Sequence, residues 1–326
     1  MRNYGYACIN MGFSNRPKSQ RITTNRTMIK RTFHDRGIEY ASELALQNMR
    51  DLRKILEWNL ANDIYFYRLS SDILPWASEY NLSDMPNFGA IHAAALSAGN
   101  FAREHGMRIT SHPGPFNKLA SPKERVFQLT KTDLSVHGDL FDLIGLPQTP
   151  YAKLNIHVGA AYGDKPFALD NFCRNFERLP DNVRSRLTVE NDDRASLYST
   201  KELYDSVYKR IGIPIVFDYH HHMLHPGGQS EQEALELALS TWKDTKPVVH
   251  YAESRSVEHG NPKIKPQAHS DMIRSPFSDY GHDLDVMIEA KHKELALLEY
   301  RVIMKEQEFV PLKPKHQTGG EYNDAN

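Results

Sequence analysis

The stretch FDYHHHMLH, residues 217–225, runs from an apolar segment into an aspartate, three consecutive histidines and a fourth histidine at its end. The apolar residues just before it, 214–217, read as a short buried strand. A carboxylate and several imidazoles therefore stand where a strand finishes. Whether this happens once or repeatedly decides the fold, because a parallel α/β barrel gathers the C-terminal ends of its strands on one face.

Working outward, short apolar runs alternate with amphipathic stretches along the chain. The pattern predicts strands at 4–9, 64–69, 107–110, 152–156, 187–189, 214–217, 247–249 and 284–288. Between and after them it predicts helices at 43–60, 90–105, 122–144, 165–178, 200–210, 231–241 and 290–304. About eight strand–helix units predict a single (β/α)8 TIM barrel of the α/β class. The barrel domain is expected to span residues 1–305. Residues 14–36, rich in Arg, Lys, Thr and Asn, read as an exposed loop after the first strand. Residues 306–326 read as a polar, disordered C-terminal tail.

Composition sets outer limits. The 326 residues are 40% hydrophobic, enough for one large core, and the formal net charge is −1, so no global field favours nucleic acid. A local basic groove remains compatible with that total. Cys8 and Cys173, the two cysteines, lie far apart and form no disulfide framework, which points to a reducing, intracellular compartment. No apolar run is long enough to span a bilayer. The unusual feature is the 16 histidines.

Following each predicted strand to its end gives Asn10, then Ser70, Ser71 and Asp72, then His112, His157, Glu190, Asp218 with His220–His222, His250 and Glu289. A lone strand-end histidine is more often a hydrogen-bonded structural residue than a ligand. Six consecutive strands ending in His, Asp or Glu are a different matter. Three carboxylates among several imidazoles, with no matching lysines, would repel or leave buried charge uncompensated. Divalent cations resolve that conflict. Mixed His and carboxylate donors suit Zn²⁺, Mn²⁺ or Fe²⁺ better than Ca²⁺, and the donors exceed what one tetrahedral ion uses. A multi-ion rim activates water and neutralises a leaving oxygen in phosphoester hydrolysis, or holds hydroxyls in sugar isomerisation. Spacing does not choose among the clustered histidines: strict alternation would put Asp218, His220 and His222 on one face.

The stretches RLSSDILPW (68–76), SHPG (111–114), NIHVGAAYGDK (155–165), LTVENDD (187–193), FDYHHH (217–222), VHYAES (249–254), AHSD (268–271) and DVMIEAKHKE (285–294), with GYACIN (5–10), resemble those of the UV damage endonucleases. That resemblance covers residues 1–305 or so. It implies a TIM barrel related to endonuclease IV, with up to three divalent ions, commonly Mn²⁺, with Zn²⁺, Mg²⁺ or Co²⁺ as alternatives. It implies nicking of double-stranded DNA 5′ to UV photoproducts, leaving a 3′-hydroxyl. An abasic-site endonuclease of the endonuclease IV type is the runner-up and a metal-dependent sugar isomerase a more distant one. A monomer is expected, cytoplasmic and nucleoid-associated when acting.

Position by position, the resemblance makes His112, His157, Glu190, Asp218, His221, His250, His269 and Glu289 the metal ligands. Glu190, Asp218 and Glu289 carry the catalytic burden. Glu190 would bridge two ions. Asp218, His250 and Glu289 would complete one site and His112 and His157 the other, with His221 and His269 on the third ion. Selecting Asp218 and His221 requires the strand to stop near Asp218, so that the turn swings His221 inward.

Tyr6 and Asn10 match residues lining the lesion pocket, and ordinary barrel packing weighs equally for Tyr6. A Gln-Tyr pair expected after HPG is replaced by Pro115 and Phe116; Phe116 retains a stacking surface, whereas Pro115 offers no amide. A modified lysine is replaced by Val248, with Lys246 two residues back on the same predicted face. Glu79 stands where the family has a histidine. His220, Lys246 and Glu79 are thus candidates for the surroundings of the ions, and Lys291 for DNA contact near them. Arg16, Lys18, Arg21, Arg26, Lys30 and Arg31 form a basic segment suited to phosphates.

Overall fold

The computed structural model describes residues 2–308. Eight parallel strands close into a barrel in sequence order: β1 (Tyr4–Ala7), β2 (Phe66–Leu69), β3 (Arg108–Ser111), β4 (Leu154–Ile156), β5 (Leu187–Glu190), β6 (Ile215–Asp218), β7 (Val248–Tyr251) and β8 (Asp285–Ile288). The closing pair sets Tyr4 beside Val286 and Gly5 beside Met287. Gly5 is dictated by close approach, since a Cβ there would sit 2.6 Å from the Phe66 carbonyl oxygen. All eight strands expected from the apolar runs are present, with ends shifted by a residue or two.

The helices are α1 (Met11–Ser14), α2 (Lys30–Ala61), α3 (Phe88–Glu104), α4 (Glu124–Ile144), α5 (Lys165–Phe176) and α6 (Asp181–Arg184). They continue as α7 (Thr200–Leu203), α8 (Lys209–Ile211), α9 (Tyr219–Leu224), α10 (Glu231–Leu239), α11 (Arg255–Glu258) and α12 (Lys293–Glu308). Local chemistry sets their ends. Ser199 with Glu202 and Ser230 with Glu233 form capping boxes on α7 and α10. Gly145, at φ 76°, ends α4 in the left-handed conformation a side chain would resist.

Two expectations are corrected. Residues 14–36 are not one loop: α1 ends at Ser14 and α2 starts at Lys30. Gly37, at φ 65°, kinks α2 and sets the turns before it apart; the Arg/Thr-rich composition hid this short amphipathic segment. The last helix runs to Glu308, three residues into the segment assigned to the tail; the remainder of that segment lies outside the described residues.

Strand periodicity builds the barrel interior in layers. Ala7, Phe66, Val216, Trp242, Val248 and Met287 form a buried apolar cluster. One side-chain repeat further along the same strands come Arg68, Asp218, His250 and Glu289. The apolar layer therefore floors a polar one. At the opposite end, fully buried Arg108 pairs with Asp285 at 3.1 Å and donates to the carbonyls of Tyr151 and Lys246.

Candidate metal centre

The six strand-end groups converge at the C-terminal face. His112, His157 and Glu190 bring donor atoms within 4.8 Å of one another; so do Glu190, Asp218 and His221, and Asp218, His250 and Glu289. These three triads share Glu190 and Asp218, so they form one continuous cluster. Glu190 sits at its middle, with Oε2 3.2 Å from His112 Nε2 and 3.1 Å from His250 Nδ1, and Oε1 3.4 Å from His221 Nδ1. His250 Nδ1 is also 3.1 Å from Glu289 Oε1.

Strand β6 stops at Asp218, whose side chain caps α9 by accepting from the His221 amide at 2.8 Å. Beginning a helix there breaks the two-residue alternation and swings His221 inward, beside Glu190. His221 thus groups with Glu190 and Asp218 rather than with His269 alone. His269 stands at the edge, its Nδ1 3.0 Å from the Glu289 carbonyl oxygen and 3.7 Å from the Glu289 carboxylate. His220 is 1% exposed, edge-on to His269 at 5.6 Å.

One buried carboxylate oxygen at this rim, Asp218 Oδ2, is enclosed without a hydrogen-bond partner among the described residues. His250 Nδ1 faces only carboxylate oxygens, those of Glu190 and Glu289. An unsatisfied buried carboxylate oxygen among imidazoles and carboxylates aimed at one another fits divalent cations. The set is oxygen- and nitrogen-only.

Electrostatics agree with a site built to be shared with positive charge. Burial would push Glu190 up, but the facing His250 and His157 hold its carboxyl well below the usual range. Burial likewise opposes Glu289, which Arg68 and His250 hold well below it. Asp218 is pushed up to about 6, by burial first and also by Glu190 and Glu289. Burial opposes the charge on His157, but Glu190 and Asp192 outweigh it and lift the ring to about 9. Burial drops His250 to about 4.

The premise that no cation accompanies the carboxylates is overturned. Arg68 pairs with Glu289, with side chains 13% and 11% exposed. Lys153, fully buried, places Nζ 3.1 Å from His250 Nε2, and burial brings its ammonium down to about 7. Asn155 donates to Glu190 and accepts from Thr188. His157 Nδ1 stands 3.1 Å from Asp192, and Asn191 brackets the Asp218 backbone through two hydrogen bonds. Listing only strand ends missed these. Counting back by two from each candidate ligand reaches Asn155 and Lys153 from His157, and Thr188 from Glu190.

Other candidates are placed less centrally. Tyr6 is fully buried, its hydroxyl donating to Asn59 at 2.8 Å, and Asn10, 1% exposed, donates to that hydroxyl and caps α1. Both are enclosed in this conformation. Lys246 precedes β7 and pairs with Asp283 and Asp285 at the far end of the barrel, because strand direction carries it away from His250. Lys291 is exposed in the turn before α12, its amide bonded to the Ser270 carbonyl. Glu79 is exposed and, with His92, lines a groove of about 1060 Å³ beside α4 that none of the clustered histidines lines. Arg26 is committed to Asp51 and to the Thr23 and Arg21 carbonyls. Pro115 is exposed and Phe116 is 64% exposed, in the loop after β3. Gly114 leaves room for that ring, since a Cβ there would lie 2.4 Å from Phe116 Cε1. A cleft of about 310 Å³ joins Pro115, Lys118 and Arg194 to His112, His157 and His221.

Comparison with known proteins points one way. The family described as UV-endonuclease UvdE matches residues 2–322. The UV DNA damage endonuclease of Bacillus thuringiensis subsp. konkukian is 34% identical over 268 residues, 79% of this chain and 81% of that protein. The UV-damage endonuclease of Schizosaccharomyces pombe is 34% identical over 304 residues, 90% of this chain and 49% of that longer protein. The crystal structure of SacUVDE superposes with a TM-score of 0.81 at 31% identity, covering 94% of this chain and 99% of that one. With this match across nearly its whole length, the chain belongs to the UV-endonuclease family of enzymes.

Proposed function

We propose that this chain is a metal-dependent DNA repair endonuclease that nicks the phosphodiester 5′ to UV photoproducts, cyclobutane dimers and 6-4 photoproducts, and leaves a 3′-hydroxyl. The observation that carries the reading is the continuous run of three donor triads sharing Glu190 and Asp218 on one barrel face. His112, His157, Glu190, Asp218, His221, His250 and Glu289 would hold up to three divalent ions, with His269 at the edge of the third. Mn²⁺ suits the mixed oxygen and imidazole donors. Bound there, such ions supply a water activated near neutral pH and positive charge opposite the leaving oxygen.

The chain's own residues prepare that chemistry. Glu190 offers its two oxygens to different imidazole partners, the arrangement a bridging carboxylate needs. Asn155 orients Glu190, Arg68 restrains Glu289, and Asn191 fixes the backbone from which Asp218 projects. The apolar floor beneath them excludes water from below. Phe116 is exposed between Pro115 and Asn117, which line the cleft, and its ring would fill the gap left when a damaged dinucleotide leaves the stack. The substrate is intracellular duplex DNA, bound by a monomer, and no described helix is long and apolar enough to cross a membrane.

Two duplexes of identical sequence test the reading, one carrying a single thymine dimer and one a single tetrahydrofuran abasic site. With Mn²⁺, the dimer duplex is expected to be cut at least as fast. Cleavage confined to the tetrahydrofuran duplex would replace this reading with an abasic-site endonuclease.

A further inference from the structure

Ile29 breaks a local rule. It is the N-cap of α2, and its carbonyl accepts from the Phe33 amide at 3.1 Å. Aliphatic side chains are among the poorest caps, because they offer nothing to the free amides of the first turn. This one is also 70% exposed. Single exposed apolar residues are ordinary. Ile29 differs in how it is held and in what surrounds it.

The segment that carries it is fixed. Trp76, held at φ 59°, donates its indole N–H to the Met28 carbonyl at 2.8 Å. Phe33 stacks on the Trp76 ring at 5.4 Å and 9°. The aromatic side of this first turn is thus anchored to the loop after β2, while Ile29 points out. Thr27, Met28 and Phe116 line a common cavity of about 410 Å³, and Ser71 in its wall donates to the His112 carbonyl at 3.1 Å. That hydrogen bond ties the cavity wall to the backbone of His112. Lys30 and Arg31 follow Ile29 directly, both exposed. Two other exposed apolar residues have different neighbours. Val257 adjoins Glu258 and Asp271, which repel phosphate, and Met223 lies between His222 and Leu224.

We infer that residues 27–31 form a second DNA-inserting arm, in which Ile29 enters the damaged duplex as an apolar wedge paired with Phe116, while Lys30 and Arg31 hold the flanking phosphates. This rests on the lesion-directed reading above and adds to it a residue that determines specificity. An apolar wedge contributes where the stack is already weakened; a lysine on phosphate contributes equally to any duplex.

Binding in EDTA, which prevents cutting, separates these contributions. A duplex with one thymine dimer is compared with its undamaged counterpart across a salt series. Ile29→Ala is expected to lower the preference for the dimer duplex about tenfold and leave the salt dependence unchanged. Ile29→Phe should keep the preference. Lys30→Ala should weaken both duplexes alike and reduce the log–log salt slope by about 0.9. Circular dichroism and Tm confirm folding of each variant, which the exposure of Ile29 favours. Unchanged preference in Ile29→Ala would overturn the inference while leaving the nuclease reading intact. A parent protein with no preference for the dimer duplex would overturn the lesion-directed reading, and this inference with it.

Discussion

Lys153 Nζ lies 3.1 Å from His250 Nε2, inside the barrel, on the side of the imidazole turned away from Glu190 and Glu289. The ring is gripped from behind and presents Nδ1 to two carboxylates. With Nδ1 given to a metal, neutral His250 carries its proton on Nε2, and Lys153, brought down to about 7 by burial, would accept it as the neutral amine. Acceptors behind a metal-binding imidazole orient it, and their loss typically costs ~10–100-fold in metal affinity. Lys153→Met keeps the volume and the burial, so the fold should survive. Calorimetric titration with Mn²⁺ should show a loss within that range; an unchanged isotherm would remove Lys153 from the account of the site.

Arg68 and Glu289 make a second prediction. Both are largely buried, so replacing Arg68 by Met strands a carboxylate, a change that costs about 3–5 kcal/mol in buried pairs. Divalent ions neutralise the same carboxylate. Arg68→Met should therefore melt well below the parent in EDTA and recover much of the difference in Mn²⁺. Equal deficits with and without the ion would place Glu289 outside the metal set.

The titrating groups give the direction of pH dependence. His157, lifted to about 9, carries a proton at neutral pH when no ion is bound, and Asp218, at about 6, begins to take one up as the solution becomes mildly acidic. Both must be deprotonated to donate to a metal. Affinity for Mn²⁺ should accordingly rise from pH 6 to pH 9, and binding at pH 7.5 should release protons. Titrations in buffers of different ionisation enthalpy measure that release; identical heats across buffers would contradict it.

Phe116 is exposed and held over Gly114 beside the cleft. Stacking of a base on an aromatic side chain is worth ~1–3 kcal/mol. Phe116→Ala should raise KM for a dimer duplex by roughly 10- to 100-fold with a smaller change in kcat. A fall in kcat at constant KM would instead assign Phe116 to the chemical step.

Much of this was legible in the sequence. Each short apolar run marked a strand, and reading on to its end reached His112, His157, Glu190, Asp218, His250 and Glu289, because strand polarity fixes which end faces the site. His221 was harder. Alternation favoured His220 and His222, and only the helix that Asp218 caps turns His221 inward. Arg68 and Lys153 were missed for a related reason: they lie below the strand ends, one or two side-chain repeats back, where a charged residue in a buried run looks like an interruption rather than a floor. Lys246 misled in the opposite sense. It shares the face of His250 but stands at the wrong end of the strand, and only the barrel's geometry shows how far that is. The basic segment was read as one exposed loop, whereas Arg26 is bound to Asp51 and Lys30 starts a helix.

The most direct test of the whole account uses one duplex with a single thymine dimer, end-labelled, with products mapped at nucleotide resolution. One nick is expected immediately 5′ to the dimer, with a 3′-hydroxyl that a polymerase extends. That nick should vanish in EDTA, return with Mn²⁺, and be lost by ~10²–10³-fold or more in Glu190→Gln, the scale of losing a principal electrostatic contact in a transition state. Equal, slow cutting of damaged and undamaged duplex in Mn²⁺, or full activity of Glu190→Gln, would contradict it.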